Sequence, residues 1–186
     1  MSAVEKVLEG SPPDIQDLFV ALRSDNPLER ERARNKLTIL GREAIVPLIR
    51  ELKSPIVHAR WEAAKALSQI RDVNAANALA EVMDDENHDV RWVASQGLVR
   101  LGAKGLEQTL LALLSHGNSI WVRDSAHHVL SHFAHRMGGE YLLPLLALFN
   151  GFEPAVSVPP AALTALHTLQ KHNNSAAPKV QRIKSN

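Results

Sequence analysis

Four arginines recur at nearly constant spacing. Arg30, Arg60, Arg91 and Arg123 are separated by 30, 31 and 32 residues. Each is followed three residues later by alanine (Ala33, Ala63, Ala94, Ala126) and seven residues later by leucine (Leu37, Leu67, Leu98, Leu130). Offsets of three and seven fall on one face of a helix. A sequence period near 31 that carries a helical stripe in every unit is the mark of a stacked repeat array. In such an array each unit buries its apolar face against the next, so stability is shared between neighbours.

Each period reads as two helices. The Arg-containing segment of the second unit, IVHARWEAAKALSQI, places Ala59, Ala63, Ala66, Leu67 and Ile70 on one stripe. The alternate segments AIVPLIREL, NALAEVM, QTLLALL and YLLPLLALF are short and leucine-rich. Asn26-Pro27 and Ser54-Pro55 put a capping side chain ahead of a proline at a helix start, and Asn87 with Asn118 or Ser119 cap the next two. Gly41, Gly102 and Gly138-Gly139 stop helices. The Arg helices are expected over 27–40, 56–71, 88–101 and 120–137. A fifth pair, 139–150 and 158–171, lacks the arginine, starts its last helix at Pro159-Pro160 and serves as the C-terminal cap. The division is an N-terminal arm (1–12), a repeat array (13–172) with Pro13 early in the first helix, and a flexible basic tail (173–186) without apolar periodicity.

Composition narrows the function. The chain of 186 residues is 45% apolar, 22% charged and 4% aromatic. It has no cysteine, which removes disulfides, thiol nucleophiles and thiolate metal sites. No run of 18 apolar residues appears, so the expectation is a cytoplasmic protein off the membrane. Charge is uneven: residues 23–71 carry eleven bases and six acids (+5), and residues 72–140 carry five bases and nine acids (−4). Nucleic acid would call for one sign along a whole face, and Arg30, Arg32, Arg34 and Lys36 are instead interleaved with Glu29 and Glu31.

The run VRWVASQGLVRLG at 90–102, with its counterparts over roughly 14–171, resembles the HEAT-like repeats of phycobilisome-lyase type. That resemblance implies an all-α, right-handed solenoid of about five HEAT-like helix pairs, with the Arg helices lining the concave face. It is specific for fold and weak for function. Among relatives of this type, the di-iron deoxyhypusine hydroxylases carry His-Glu dipeptides, and this chain has none. DNA alkylation glycosylases of similar architecture use a basic, aromatic concave face, whereas the inner positions here are mixed. A bilin-lyase-like chromophore chaperone, holding a small tetrapyrrole, stays as the alternative.

A residue present in every unit serves a joint that every unit needs, so Arg30, Arg60, Arg91 and Arg123 are read as structural, each bonding a carboxylate or carbonyl of the neighbouring repeat. The residues that break the pattern are the candidates for function. Trp61 and Trp92 each follow the arginine directly, and Trp121 precedes Arg123 by two. Offsets that differ by three put the rings on one helical face. Either the indoles form a strip that anchors a partner, or they lie flat and seal the edge of the core. Lys65, Gln96, Arg100 and His128 flank them and would orient a bound segment.

Residues 127–135 hold four histidines. His128, His132 and His135 are spaced i, i+4, i+7, with Asp124 one turn before His128. Two histidines four apart can chelate a divalent ion, but no H-E-x-x-H motif accompanies them, so a solvated polar face is the reading and these four residues are the candidates only for the lesser, metal-dependent one. His127 is expected to be half-buried and hydrogen-bonded. No Gly-rich phosphate loop, Ser-His-Asp order or paired-carboxylate cleft can be placed. The sequence therefore points to a non-catalytic scaffold without cofactor or metal that binds a peptide or protein partner.

Overall fold

The computed structural model describes residues 14–136 and 139–176. Ten α-helices account for most of them: α1 Ile15–Leu22, α2 Pro27–Leu40, α3 Arg42–Glu51, α4 Val57–Ile70, α5 Ala76–Glu81, α6 His88–Arg100, α7 Ala103–His116, α8 Ile120–Arg136, α9 Leu143–Leu148 and α10 Pro154–Ala176. No strand occurs among the described residues. The arm (1–12), Pro13, Gly138 and most of the expected tail lie outside them.

The helices form two layers. The Arg helices α2, α4, α6 and α8 pack side by side, and the intervening helices pack behind them. The periodic alanines and leucines are all fully buried. A leucine taken wholly from water contributes roughly 1.5–3 kcal/mol, and the alanines allow the backbones of successive Arg helices to approach. Gly97 shows how closely: a β-carbon there would stand 2.9 Å from Leu79 and 3.2 Å from Ser68. The product is an all-α solenoid of stacked helix pairs.

Capping chemistry sets the starts. Asn26 and Asn87 each accept a backbone N–H from two residues ahead, with Pro27 opening α2. Ser119 Oγ accepts from Val122. Ser54 departs from its expected role: its hydroxyl accepts from Ile56, and α4 begins only at Val57. The ends share one register. Gly41 and Gly102, eleven residues after Arg30 and Arg91, adopt φ of 61° and 62°. Arg71, eleven after Arg60, holds φ of 59° without being glycine.

The C-terminal pair departs from expectation. α10 starts at Pro154, not at Pro159-Pro160, and both prolines lie inside it. It also runs to Ala176, so the first residues assigned to the tail, from 173, are helical. The larger difference is direction: α10 packs chiefly on α7, behind the Arg layer, rather than beside α8. Val158, Ala162, Ala165, Leu166 and Leu169 make its buried stripe.

Candidate functional site

The four repeated arginines make one shared contact. Each donates from Nη1 to a backbone carbonyl six residues earlier: Arg30 to Ser24 (2.8 Å), Arg60 to Ser54 (3.0 Å), Arg91 to Asp85 (2.7 Å) and Arg123 to Gly117 (2.7 Å). That carbonyl belongs to the loop entering the arginine's own helix. The common bond is therefore a clasp within a repeat, where sequence reasoning placed it between repeats. Contacts across repeats are added individually. Arg60 forms a two-pronged bond to Asp85 at 2.7 and 3.0 Å and reaches Glu86 at 3.2 Å. The bond to Asp85 holds its pKa above the usual arginine value despite burial. Arg30 Nε lies 3.5 Å from the buried Glu62, which also accepts from Arg34 at 2.6 Å.

The exposed side of the Arg layer carries the candidate groove. Trp61, Lys65 and Ser68 of α4 face Asp89, Trp92, Gln96 and Arg100 of α6 across a shallow hollow of about 670 Å³. A second hollow of about 160 Å³, between α6 and α8, shares Trp92 and includes His128. Six of the seven residues singled out in sequence thus line two adjoining depressions. The seventh, Trp121, lines neither.

The indoles do not form a continuous strip. Trp61 is flanked by Arg34 and Lys65, whose charged groups lie 5.8 and 5.9 Å from its ring centre. Trp92 rests on His128 with ring centres 4.4 Å apart. Trp121 lies beneath Arg91 at 5.3 Å. Among the described residues no two tryptophan rings touch. The offsets explain this: a residue two before the arginine faces the preceding repeat, whereas one directly after it faces the open groove and the following repeat. Trp92 is 48% exposed and Trp61 is half-buried against the core.

Contacts between hydroxyls and polar groups tie the groove's floor together. Arg100 donates to Ser68 Oγ at 2.9 Å, and Thr38 donates to Gln69 at 3.3 Å one repeat earlier. Both link the eighth residue after one arginine to the ninth after the next. Sequence reasoning did not single out Ser68, and the recurrence of a hydroxyl at Thr38 and Ser68 was the available signal. Gln96 and His128 meet at 2.8 Å. Burial, then the neighbouring His132 and His127, push the His128 pKa below the ordinary histidine value.

The histidine-rich helix disperses its rings. His127 is exposed, not half-buried, and meets Phe149 edge-on at 5.7 Å. His132 meets Phe133 at 5.5 Å, and His135 is exposed. Asp124 lies beside His128 on the smaller hollow. Among the described residues no group of three or more histidine, aspartate or glutamate side chains is arranged to hold a metal. No described helix is long and apolar enough to cross a membrane.

Residues 15–99 match the family model of HEAT repeats. That first part of the array is similar to HEAT repeats. The matched region contains α1 to α5 and nearly all of α6, so it includes the lining of the larger hollow except Arg100. No curated protein matches the chain. The same register continues past the match: α8 repeats the Arg–Ala–Leu pattern and the clasp to a carbonyl six residues back.

Proposed function

We propose that this HEAT-like array is a non-catalytic scaffold that binds a peptide or protein segment along the exposed side of its Arg layer. HEAT repeats generally mediate protein–protein interaction, and residues 15–99 match that family. The observation that carries the reading is Trp92, nearly half exposed at the boundary of two hollows that Lys65, Gln96, Arg100 and His128 also line. Indoles held by a rigid helix make good anchors because little side-chain entropy is lost when they are covered. Trp61 and Trp92 would grip the apolar part of the segment. Lys65 and Arg100 lie toward one end of the larger hollow and Asp89 toward the other, which would set the segment's direction.

The test is affinity capture with the full chain, comparing wild type with a Trp61→Ala/Trp92→Ala variant and with Val73→Ala, an exposed apolar residue outside both hollows. A partner retained by wild type and Val73→Ala but lost by the double variant supports the groove. Equal retention by all three removes it.

A further inference from the structure

The Arg layer ends one helix short of the helix pairs, because α10 turns back onto α7. α8 is its last member, and among the described residues no helix of the Arg layer covers the face that would meet a further repeat. The register makes this concrete. On α6, His88, Arg91, Trp92 and Ser95 form the near wall of the hollow that α8 closes. The same offsets on α8 are Ile120, Arg123, Asp124 and His127, and they wall another hollow, of about 510 Å³. Its far side is the turn around Phe149, Asn150 and Pro154 instead of a fifth Arg helix. Around it stand Ile120, 60% exposed, and Phe152, 91% exposed at the tip of that turn.

Charge indicates what belongs there. Arg30 and Arg60 each reach a carboxylate of the following repeat, and Arg91 covers the ring of Trp121. Arg123 has the Gly117 carbonyl and, among the described residues, no carboxylate. The other end of the layer presents the complement. In later repeats the positions two before and nine after the arginine meet the preceding repeat, as Trp121 does beneath Arg91 and Arg100 does at Ser68. In α2 those positions are Leu28 and Ile39, 59% and 84% exposed. Asp25 occupies the loop position, five before the arginine, from which Glu86 accepts Arg60. Its side chain is exposed and makes no described bond.

We propose that the α2 edge of one copy of this chain docks on the open face of α8 of another, continuing the Arg layer head to tail with Asp25 against Arg123. The opposite charges of Asp25 and Arg123 favour that orientation. The two surfaces differ, so the contact is heterologous and repeats along a chain of copies instead of closing as a two-fold dimer. This joint is separate from the tryptophan groove and stands or falls independently of it.

Sedimentation velocity on the full-length protein tests it, from about 10 μM to about 1 mM, where an interface of roughly one helix face should hold. Wild type should gain mass with concentration and lose the gain in high salt. Arg123→Glu and Asp25→Arg should each weaken association by about tenfold or more. An equimolar mixture of the two should associate again, because the reversed charges are complementary. Ile39→Arg, altering an exposed edge residue, should also abolish association while melting like wild type. Wild type monomeric throughout would overturn the proposal. So would undiminished association in any single variant, or a mixture that stays monomeric.

Discussion

Gln96 on α6 and His128 on α8 meet side chain to side chain at 2.8 Å, and Trp92 covers the same imidazole with ring centres 4.4 Å apart. In this arrangement the Gln96 amide donates to an unprotonated Nε2, so the joint between the third and fourth repeats is built for neutral His128.

That neutrality makes stability depend on pH. Burial and two neighbouring histidines lower the folded pKa of His128 below its ordinary value of 6.5. The unfolded chain then takes up the proton more readily than the folded one, so the contribution is complete above pH about 6.5 and is lost as pH falls through the folded pKa. Melting temperature should fall as pH drops from about 7 to about 5. His128→Gln should flatten that slope, and an identical slope in the variant would show that other groups carry it.

Trp92→Ala separates anchoring from packing. A half-exposed indole should cost about 1 kcal/mol of folding stability or less, against about 2–5 kcal/mol for the fully buried Leu98→Ala. Chemical denaturation of both variants checks the contrast. A loss for Trp92→Ala as large as for Leu98→Ala would make the ring a seal of the core edge instead of a free anchor.

Arg60 and Arg123 occupy equivalent positions with unequal partners. Arg60→Ala leaves Asp85, itself nearly buried, without its bidentate partner and should cost about 3–5 kcal/mol. Arg123→Ala loses one bond to a carbonyl and should cost about 1 kcal/mol. Equal costs in urea titrations would mean that the clasp to the carbonyl, common to all four repeats, is the whole contribution.

Arg71 is the one member of the turn series that lacks glycine. Its φ of 59° and ψ of 32° place it in the left-handed region, which costs a residue with a β-carbon about 1 kcal/mol; Gly41 and Gly102 share the positive φ but turn ψ to −120° and −135°, a conformation open to glycine. Arg71→Gly should therefore be neutral or stabilising by up to about 1 kcal/mol, despite the flexibility added to the unfolded chain. A clear fall in melting temperature would show that the Arg71 side chain has an interaction that outweighs the backbone strain.

The repeat, the helix starts at Asn26 and Asn87, the stops at Gly41 and Gly102 and the buried Ala–Leu stripe were all legible in the sequence. They rest on period, capping chemistry and backbone preference, which act within about one helical turn. So was the composition of the groove, since helical offset alone brings Trp61, Lys65, Trp92, Gln96 and Arg100 to one side. Tertiary structure decided the rest. Trp121 lies under Arg91 of the preceding repeat and Trp92 meets His128 of the following one, though both stay exposed, because the offset between adjacent helices determines which side chains cross a joint. The arginine clasp folds back on its own loop because a carbonyl in that loop stands within reach of Nη1. The prolines at 159 and 160 signalled a helix start, but α10 begins before them and turns onto α7, where its apolar stripe finds a partner. No local pattern specifies that choice of neighbour, and among the described residues it leaves the Arg layer without a fifth helix beside Arg123.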